Sequence, residues 1–263
     1  MPDIALIFAG FFVGLVVGLT GVGGGSLMTP ILIFFFGVKP YLAVGTDLLF
    51  AAVTKAGGTV SLARQGLVPW RVVGLLSAGS LPAALITLSV LHRLGPETEG
   101  VQAIMTHTLG IALLLTAAAM FYKAARGKVL PRTLHGADLD NASRTHHWSL
   151  PVVFGAVIGT LVTLTSVGAG AIGVSVLLLL FPLLPLPRIV AADIAYAVPL
   201  TLVAGLGHAS LGSVDWPLLV TLLAGSLPGI WLGTRLMRHT PERVVRSLLS
   251  LLLAYAGTKL IAL

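Results

Sequence analysis

The sequence contains no cysteine and little charge. Only 10% of its 263 residues are Asp, Glu, Lys or Arg, while 56% are hydrophobic; soluble domains carry about 25% charged residues. The absence of cysteine excludes disulfides and thiolate metal sites. The scarcity of charge, together with a mean hydropathy of +1.01, predicts an integral membrane protein.

Acidic residues are the scarcest charged class, since 9 Asp and Glu stand against 16 Lys and Arg and leave a net charge of +7. The basic residues lie singly or in short groups between apolar runs. We interpret them as topology signals and contacts to membrane lipids, and we expect no nucleic-acid partner. The chain opens with Met1-Pro2-Asp3 and no basic residue ahead of its first apolar run, which is not the pattern of a signal peptide.

Glycine, by contrast, is concentrated in the stretch Gly21–Ser26, which contains four glycines and lies between the apolar segments 3–20 and 27–36. Non-helical backbone at membrane depth is tolerated only where protein buries it or where it lines a water-filled cavity. Ser26 is suited to the N-cap of the following helix, whose positive dipole end would face the break. The stretch therefore predicts either an intramembrane anion site or a close helix contact of the small-xxx-small type.

The second half of the chain repeats motifs of the first. Thr165–Gly170 follows the first glycine motif by about 145 residues, and three more motifs recur at an offset of 146: Asp47-Leu48 with Asp193-Ile194, Gly66–Trp70 with Gly212–Trp216, and Gly79–Pro82 with Gly225–Pro228. One offset held across separated patches indicates two related units. We predict a membrane repeat at 1–123, a basic and polar cytoplasmic loop at 124–148, and a second membrane repeat at 149–263.

The basic residues predict how the two units are oriented. If each glycine motif joins two helical elements, each unit has about five elements, the units are inverted, and 12 basic residues lie on one side against 3 on the other. If each motif is part of a single crossing, the units are parallel and the split is 8 against 7. The positive-inside rule favours the inverted arrangement. We therefore expect an all-α integral membrane fold of two inverted repeats, with broken or re-entrant helices near the midplane, a plan common among secondary transporters.

These motifs resemble those of the TauE/SafE sulfite exporter family of permeases. The resemblance covers nearly the whole chain apart from the central loop, and it rests on Gly18–Gly25 with Pro30, Val44–Leu48, Gly212–Trp216 and Gly225–Gly229. It implies a multi-pass protein of the bacterial inner (plasma) membrane that transports sulfite, organosulfonates or related small sulfur-containing anions, coupled to protons. The sequence departs from the family pattern at Pro69, where the second half has Asp215, and in its weaker second glycine motif.

The two glycine motifs supply the candidate anion site, because backbone amides at helix N-termini bind oxyanions without a permanent charge. The predicted substrate-binding residues are Gly23, Gly24, Gly25 and Ser26, with Ser166, Gly168 and Gly170 opposite, and Thr20 and Thr165 as hydroxyl donors. For the two threonines, a hydroxyl bonded back to its own helix is the alternative.

Asp47 and Asp193 occupy equivalent positions inside apolar spans. An intramembrane carboxylate is costly unless it is paired, hydrated or protonated, so it is a functional candidate. We expect either that at least one of them carries the coupling proton or that both brace a neighbouring helix N-terminus.

Lys55 lies two turns after Asp47 and has no charged counterpart, because Thr201 holds the equivalent position. A lysine at this depth would attract an anion, or it would be a structural lysine with a partner. His208 lies near the end of its span, and we interpret it as an interfacial histidine rather than a residue that titrates in transport.

The sequence shows no nucleotide-binding motif, no nucleophile paired with a base and no metal-ligand set, so we expect neither an enzyme nor a cofactor. The predicted function is a secondary carrier for a small anion with protons as the coupling ion. An anion channel remains the alternative, and whether the chain forms a homo-oligomer is left open.

Overall fold

A computed structural model describes residues 2–20, 25–125, 148–168, 170–236 and 242–261. Within these residues the fold is all-helical, as predicted, with no strand. Ten helices follow in chain order: α1 Pro2–Thr20, α2 Gly25–Phe36, α3 Pro40–Arg64, α4 Trp70–Leu94, α5 Glu99–Ala125, α6 Ser149–Thr165, α7 Ala171–Leu180, α8 Leu186–Ser210, α9 Trp216–Leu236 and α10 Glu242–Ile261. Most of the predicted loop 124–148 lies outside the described residues.

Several helices are long and apolar enough to cross a membrane. By length and composition these are Trp70–Leu94, Glu99–Phe121, Leu186–Ser210 and Trp216–Gly233, and shorter apolar helices cover 4–19, 27–36, 149–165 and 247–261. Helix α3 has 25 residues, the same length as α8, but it also carries Asp47, Lys55 and Arg64. Large hydrophobic side chains such as Phe8, Phe35 and Leu179 are exposed around the bundle, as expected of a surface that faces lipid.

The two halves end and begin their helices in similar ways. Gly66 after α3 and Gly212 after α8 both adopt positive φ, +66° and +72°, a conformation that costs glycine little. Asp215 explains one departure between the halves, because its Oδ1 accepts a hydrogen bond from the Leu218 amide at 3.0 Å and caps α9. Pro69 precedes α4 without a side-chain cap.

The most extensive helix contacts join one half of the chain to the other. Helix α1 packs along α9, α6 packs along α4, α5 along α10, and α3 along α8. Matched in chain order, α1 to α5 of the first half correspond to α6 to α10 of the second. Exchanging corresponding helices turns the α1–α9 contact into the α6–α4 contact, and it leaves the α5–α10 and α3–α8 contacts unchanged. The packing therefore repeats the pattern seen in the sequence motifs.

Glycines allow the backbones in two of these pairs to approach closely. A Cβ added at Gly14 of α1 would lie less than 3.0 Å from the Ser226 backbone of α9, and one added at Gly159 of α6 would lie equally close to the Ser80 backbone of α4. These are equivalent residues in the two halves. Small residues at such positions let helices pack tightly in a membrane, where van der Waals contact replaces the hydrophobic effect.

The interior consists of two hydrophobic clusters, each built from helices of both halves. Helix α3 contributes to both, with Val44 and Leu48 in one and Ala43 and Phe50 in the other. Together with α8 it forms the centre of the bundle. The intramembrane charged residues lie on these two helices.

Candidate functional site

A break in helical structure separates α6 from α7, as the second glycine motif predicts. Helix α6 ends at Thr165 and α7 begins at Ala171. Gly168 and Gly170 both have φ of +134°, which L side chains rarely adopt. In the first half, α1 ends at Thr20 and α2 begins at Gly25, so Gly23 and Gly24 lie outside the described residues. Ser26 is the second residue of α2 rather than its N-cap.

Ser166 has an unusual backbone for a residue with a side chain. Its φ of 59° and ψ of 0° are left-handed, and within the described residues it is the one non-glycine with positive φ. Glycine occurs at the matching position of the first motif, Gly21. Such strain is of functional interest because it persists only where the surroundings impose it. The Ser166 hydroxyl is buried and has no hydrogen-bond partner in the described structure.

Asp47 lies beside Ser166 and is completely buried. Its Oδ2 accepts a hydrogen bond from Thr29 Oγ1 at 2.5 Å, and Thr29 belongs to the start of α2. The other oxygen, Oδ1, is buried with no hydrogen-bond partner among the described residues. One oxygen of the carboxylate is therefore bonded to α2, and the carboxylate also interacts with the Ser166 side chain.

Asp193 occupies the corresponding place on α8 and is 2% exposed. A Cβ added at Gly173, in the first turn of α7, would overlap Asp193 Oδ1 and would lie 3.4 Å from the Tyr196 hydroxyl. The absence of a side chain at Gly173 thus makes room for the carboxylate. Both aspartates lie against the N-terminal halves of the short helices; whether they brace these helices or one of them carries a proton stays a prediction.

Lys55 brings a positive charge to the same region. It is 8% exposed and interacts electrostatically with Asp193 and, more weakly, with Asp47. It therefore connects the carboxylate of its own helix with the one on α8. Thr201, at the matching position of α8, is buried and donates its hydroxyl hydrogen to the Ala197 carbonyl at 2.8 Å.

The other predicted donors differ in what the structure records. Thr165 Oγ1 donates to the Leu161 carbonyl at 2.7 Å and accepts from the Val167 amide at 3.1 Å, so its hydroxyl is bonded back to its own segment. The side chains of Thr20 and Ser26 lie outside the described set. A ligand role for these residues, and for Gly23, Gly24, Gly25, Gly168 and Gly170, stays a prediction.

Sequence reasoning missed several polar residues of this region. Thr29 and Tyr196 carry no charge, and inside apolar helices neither has a pattern that would single it out. Spacing does give a hint for Thr29, since Ser175 is the residue 146 positions later. His208 lies in the last turn of α8, near the end of its span as expected, but it is buried within the bundle at 0% exposure, with its Nε2 2.9 Å from the Thr163 carbonyl. Helix α6 covers the ring, which a reading of α8 alone could not reveal.

Comparison with known proteins identifies the family of the chain. The family model described as "Sulfite exporter TauE/SafE" matches residues 6–260. The probable membrane transporter protein YjnA of Bacillus subtilis is 36% identical over 98% of this chain and 100% of its own length. The probable membrane transporter protein YunE of the same species is 26% identical over 99% and 98%, and a probable membrane transporter protein of Xylella fastidiosa is 24% identical over 89% and 84%. No solved structure shows a significant match. These names describe membrane transporters rather than enzymes, and the chain belongs to the TauE/SafE sulfite exporter family.

Proposed function

We propose that this membrane transporter is a proton-coupled secondary carrier, in the bacterial inner membrane, that exports sulfite, an organosulfonate or a related small sulfur-containing anion. The anion would bind between the two halves of the chain, near Ser166, Asp47 and Lys55. The family relationship supports the class of substrate. The residues around Asp47 support the coupling.

The observation that carries the proposal is the buried pair of Ser166 and Asp47 at the helix break, whose Oγ and Oδ1 atoms lie beside each other and form no hydrogen bond of good geometry with any described residue. A buried polar group without a partner costs about 1–3 kcal/mol, so a bound group that satisfies both atoms would be stabilised there. The serine hydroxyl can donate to an anion oxygen. The carboxylate can do so only in its protonated form.

This chemistry would link the anion to a proton. An oxyanion beside an ionised Asp47 would be repelled, whereas a protonated Asp47 would donate a hydrogen bond to it. Binding of either partner then favours binding of the other, so the proton and the anion would cross the membrane together, and the outward concentration gradient of the anion would drive export. Lys55 would attract the anion, while Asp193 balances the charge of the lysine when the site is empty.

Alternating access would follow from an inverted arrangement of the halves. The exchange symmetry of the helix pairs supports it, as does the division of basic residues, 12 against 3. The short helices are also consistent with re-entrant segments: α7 has 10 residues, about 15 Å of rise against about 30 Å of hydrocarbon. Rocking of one half on the other would expose a site between them to each side in turn.

Flux of labelled sulfite into proteoliposomes tests the proposal, with and without an imposed pH gradient and with sulfoacetate, thiosulfate and sulfate as competitors. We expect saturable, gradient-driven flux and exchange against anion on the opposite side. Asp47→Asn should remove the response to the gradient, and Ser166→Ala should weaken binding. Ser250→Ala is the matched control, because Ser250 is also buried but donates to its own helix at the Ser247 carbonyl.

The outcome separates the proposal from its competitors. Flux that neither saturates nor exchanges would indicate a channel. An Asp47→Asn variant with the parental pH dependence would remove Asp47 as the proton site, and the same result for Asp193→Asn would remove both carboxylates. No flux of any of these anions would withdraw the substrate class.

A further inference from the structure

A second group of buried polar residues surrounds His208, in the last turn of α8. The ring is completely buried, and its Nε2 lies 2.9 Å from the Thr163 carbonyl oxygen. Because a carbonyl only accepts hydrogen bonds, Nε2 carries the hydrogen and Nδ1 of the neutral ring is an acceptor. Nδ1 is buried and has no hydrogen-bond partner within the described residues.

Ser213 presents a second unused atom close by. It is completely buried, and its Oγ has no hydrogen-bond partner in the part of the chain that the structure describes. Its backbone amide donates to the His208 carbonyl at 2.9 Å. Both residues border Gly45 of α3, where an added Cβ would lie 3.1 Å from His208 Cβ and closer still to the Ser213 carbonyl oxygen.

Thr46 and Thr163 connect this group to the Asp47 site. Thr46 directly precedes Asp47, is buried, and accepts a hydrogen bond from the Asp215 amide at 3.0 Å. Thr163 lies three residues before Ser166, which is beside Asp47. The polar group thus extends from the neighbourhood of Asp47 to the segment 211–215, where the chain leaves α8.

A water molecule would suit both unused atoms. Nδ1 requires a hydrogen-bond donor, a serine hydroxyl can donate or accept, and a water molecule can do both. Buried waters in proteins typically bridge such otherwise unsatisfied polar groups. An anion is a poorer fit, because it cannot donate to Nδ1.

The polar residues of this group have no polar counterparts in the other half of the repeat. The residues at the matching positions of the other half are Leu62 for His208, Leu67 for Ser213 and Ala192 for Thr46. The repeated framework would accept apolar residues here, since it does so at the matching positions. The polarity of this group is therefore not a requirement of the repeated framework, although His208 and Thr46 make hydrogen bonds to neighbouring elements.

We propose that His208, Ser213 and Thr46 hold ordered water and form the route by which protons pass between Asp47 and the membrane face at which α8 ends. The destination of the proton rests on the proposed function. His208 Nδ1 would take a proton from a protonated water on the side of the loop, leaving neutral water, and give it to a water on the side of Asp47, which passes it to the Asp47 carboxylate, while Nε2–H stays bonded to Thr163. The ring ends each transfer neutral, so no charge remains buried.

The titratable groups on the elements packed around His208 are few. On α3 the titratable residues near Gly45, which borders the ring, are Tyr41 and Asp47, while Lys55 and Arg64 lie ten or more residues further along. The segment before α9 contributes Asp215, and the end of α4 contributes His92 and Arg93 beside Gly207. The described residues of α6 contribute none. Asp47 is therefore the buried carboxylate that such a route would reach.

The variant His208→Gln tests the proton role, because glutamine can still donate to the Thr163 carbonyl but does not titrate. We expect anion exchange close to the parental rate and a loss of pH-gradient-driven flux of about 100-fold, the scale of acid–base participation by one side chain. His107→Gln is the matched control, since His107 is exposed on α5 and bonds the Ala103 carbonyl of its own helix. Equal loss of both fluxes in His208→Gln, or no loss of either, would overturn the proton role.

The water itself can be tested without any substrate. Hydroxyl radicals generated from water by X-rays oxidise side chains beside bound water, and mass spectrometry locates the products. We expect oxidation of the buried His208 in the parent and a clear decrease in Ser213→Leu, which takes the residue of the other half. An unoxidised His208 would overturn the water site. If the unmodified protein shows no gradient-driven flux, the proposed proton coupling is contradicted. The oxidation result tests the water site separately, so failure of one proposal can be told from failure of the other.

Discussion

The two halves of this transporter share a framework but differ in chemistry. In each half a buried aspartate lies against the N-terminal half of a short helix, Asp47 at Thr29 of α2 and Asp193 at Gly173 of α7. The helix pairs α1 with α9 and α6 with α4 also repeat, down to the glycines at their contacts. Identical packing solutions at equivalent residues show which features the framework requires.

The positions that differ between the halves carry side chains that can bind a ligand or transfer a proton. Lys55 faces the aspartates where the second half has Thr201, Ser166 stands where the first half has Gly21, and His208 stands where it has Leu62. In each case the partner residue is the more ordinary choice for a buried or turn position. We propose that the asymmetric residues serve the substrate or the proton, whereas the shared ones belong to the framework, apart from the paired aspartates, to which the proposed function assigns the coupling proton.

The largest effect should come from adding a side chain to the framework. Alanine at Gly14 would place its Cβ within 3.0 Å of the Ser226 backbone, and alanine at Gly159 would do the same at Ser80. A backbone cannot yield as a side chain can, so each change should cost at least about 1–3 kcal/mol. We expect both variants to lose thermal stability in detergent by similar amounts.

Gly74→Ala is the control for this comparison. Gly74 is also in a helix, α4, but is exposed, and nothing lies within 4 Å of an added Cβ. It should keep or slightly gain stability, because alanine favours helix over glycine by about 1 kcal/mol. A tolerant Gly14→Ala beside a destabilised Gly159→Ala would contradict the equivalence of the two helix pairs.

Much of this framework could be predicted from the sequence. Hydropathy and glycine spacing predicted the helices, the break after Thr165, and the equivalence of Asp47 with Asp193, because each leaves a local or periodic signal. The resemblance carried by the repeated motifs predicted the family. The pairing of α1 with α9 was not predicted, because a glycine pattern shows that a helix can pack closely but does not show which helix it packs against.

The partners of the site residues were beyond the sequence for a related reason. Thr29 reaches Asp47 from 18 residues away, and Thr163 reaches His208 from 45. Such contacts depend on how the helices are arranged, not on any pattern within one of them. A threonine in an apolar helix usually bonds its own backbone, as Thr165 and Thr201 do here, so its type alone gives no signal.

Replacing Lys55 by the residue of the other half sharpens the comparison. Lys55→Thr should raise the KM for the transported anion by about tenfold, equivalent to about 1.4 kcal/mol of lost attraction, measured as gradient-driven uptake in proteoliposomes. Lys39→Thr removes the same charge from an exposed position just before α3 and should leave KM unchanged. Equal KM changes in the two variants would mean that the site does not use the lysine charge locally.

The smallest effect, and the most specific, concerns Ser166. Glycine, the residue of the first motif, adopts φ of 59° without the cost of about 1 kcal/mol that a side chain incurs in the left-handed region. Ser166→Gly should therefore raise thermal stability while it weakens anion binding, because the buried hydroxyl is lost. Ser166→Ala separates these effects, since alanine also lacks the hydroxyl but keeps the strained backbone, and it should weaken binding with no gain in stability. If Ser166→Gly binds the anion as the parent does, the serine is a framework residue like its glycine counterpart, and the asymmetry at this position has no bearing on the substrate.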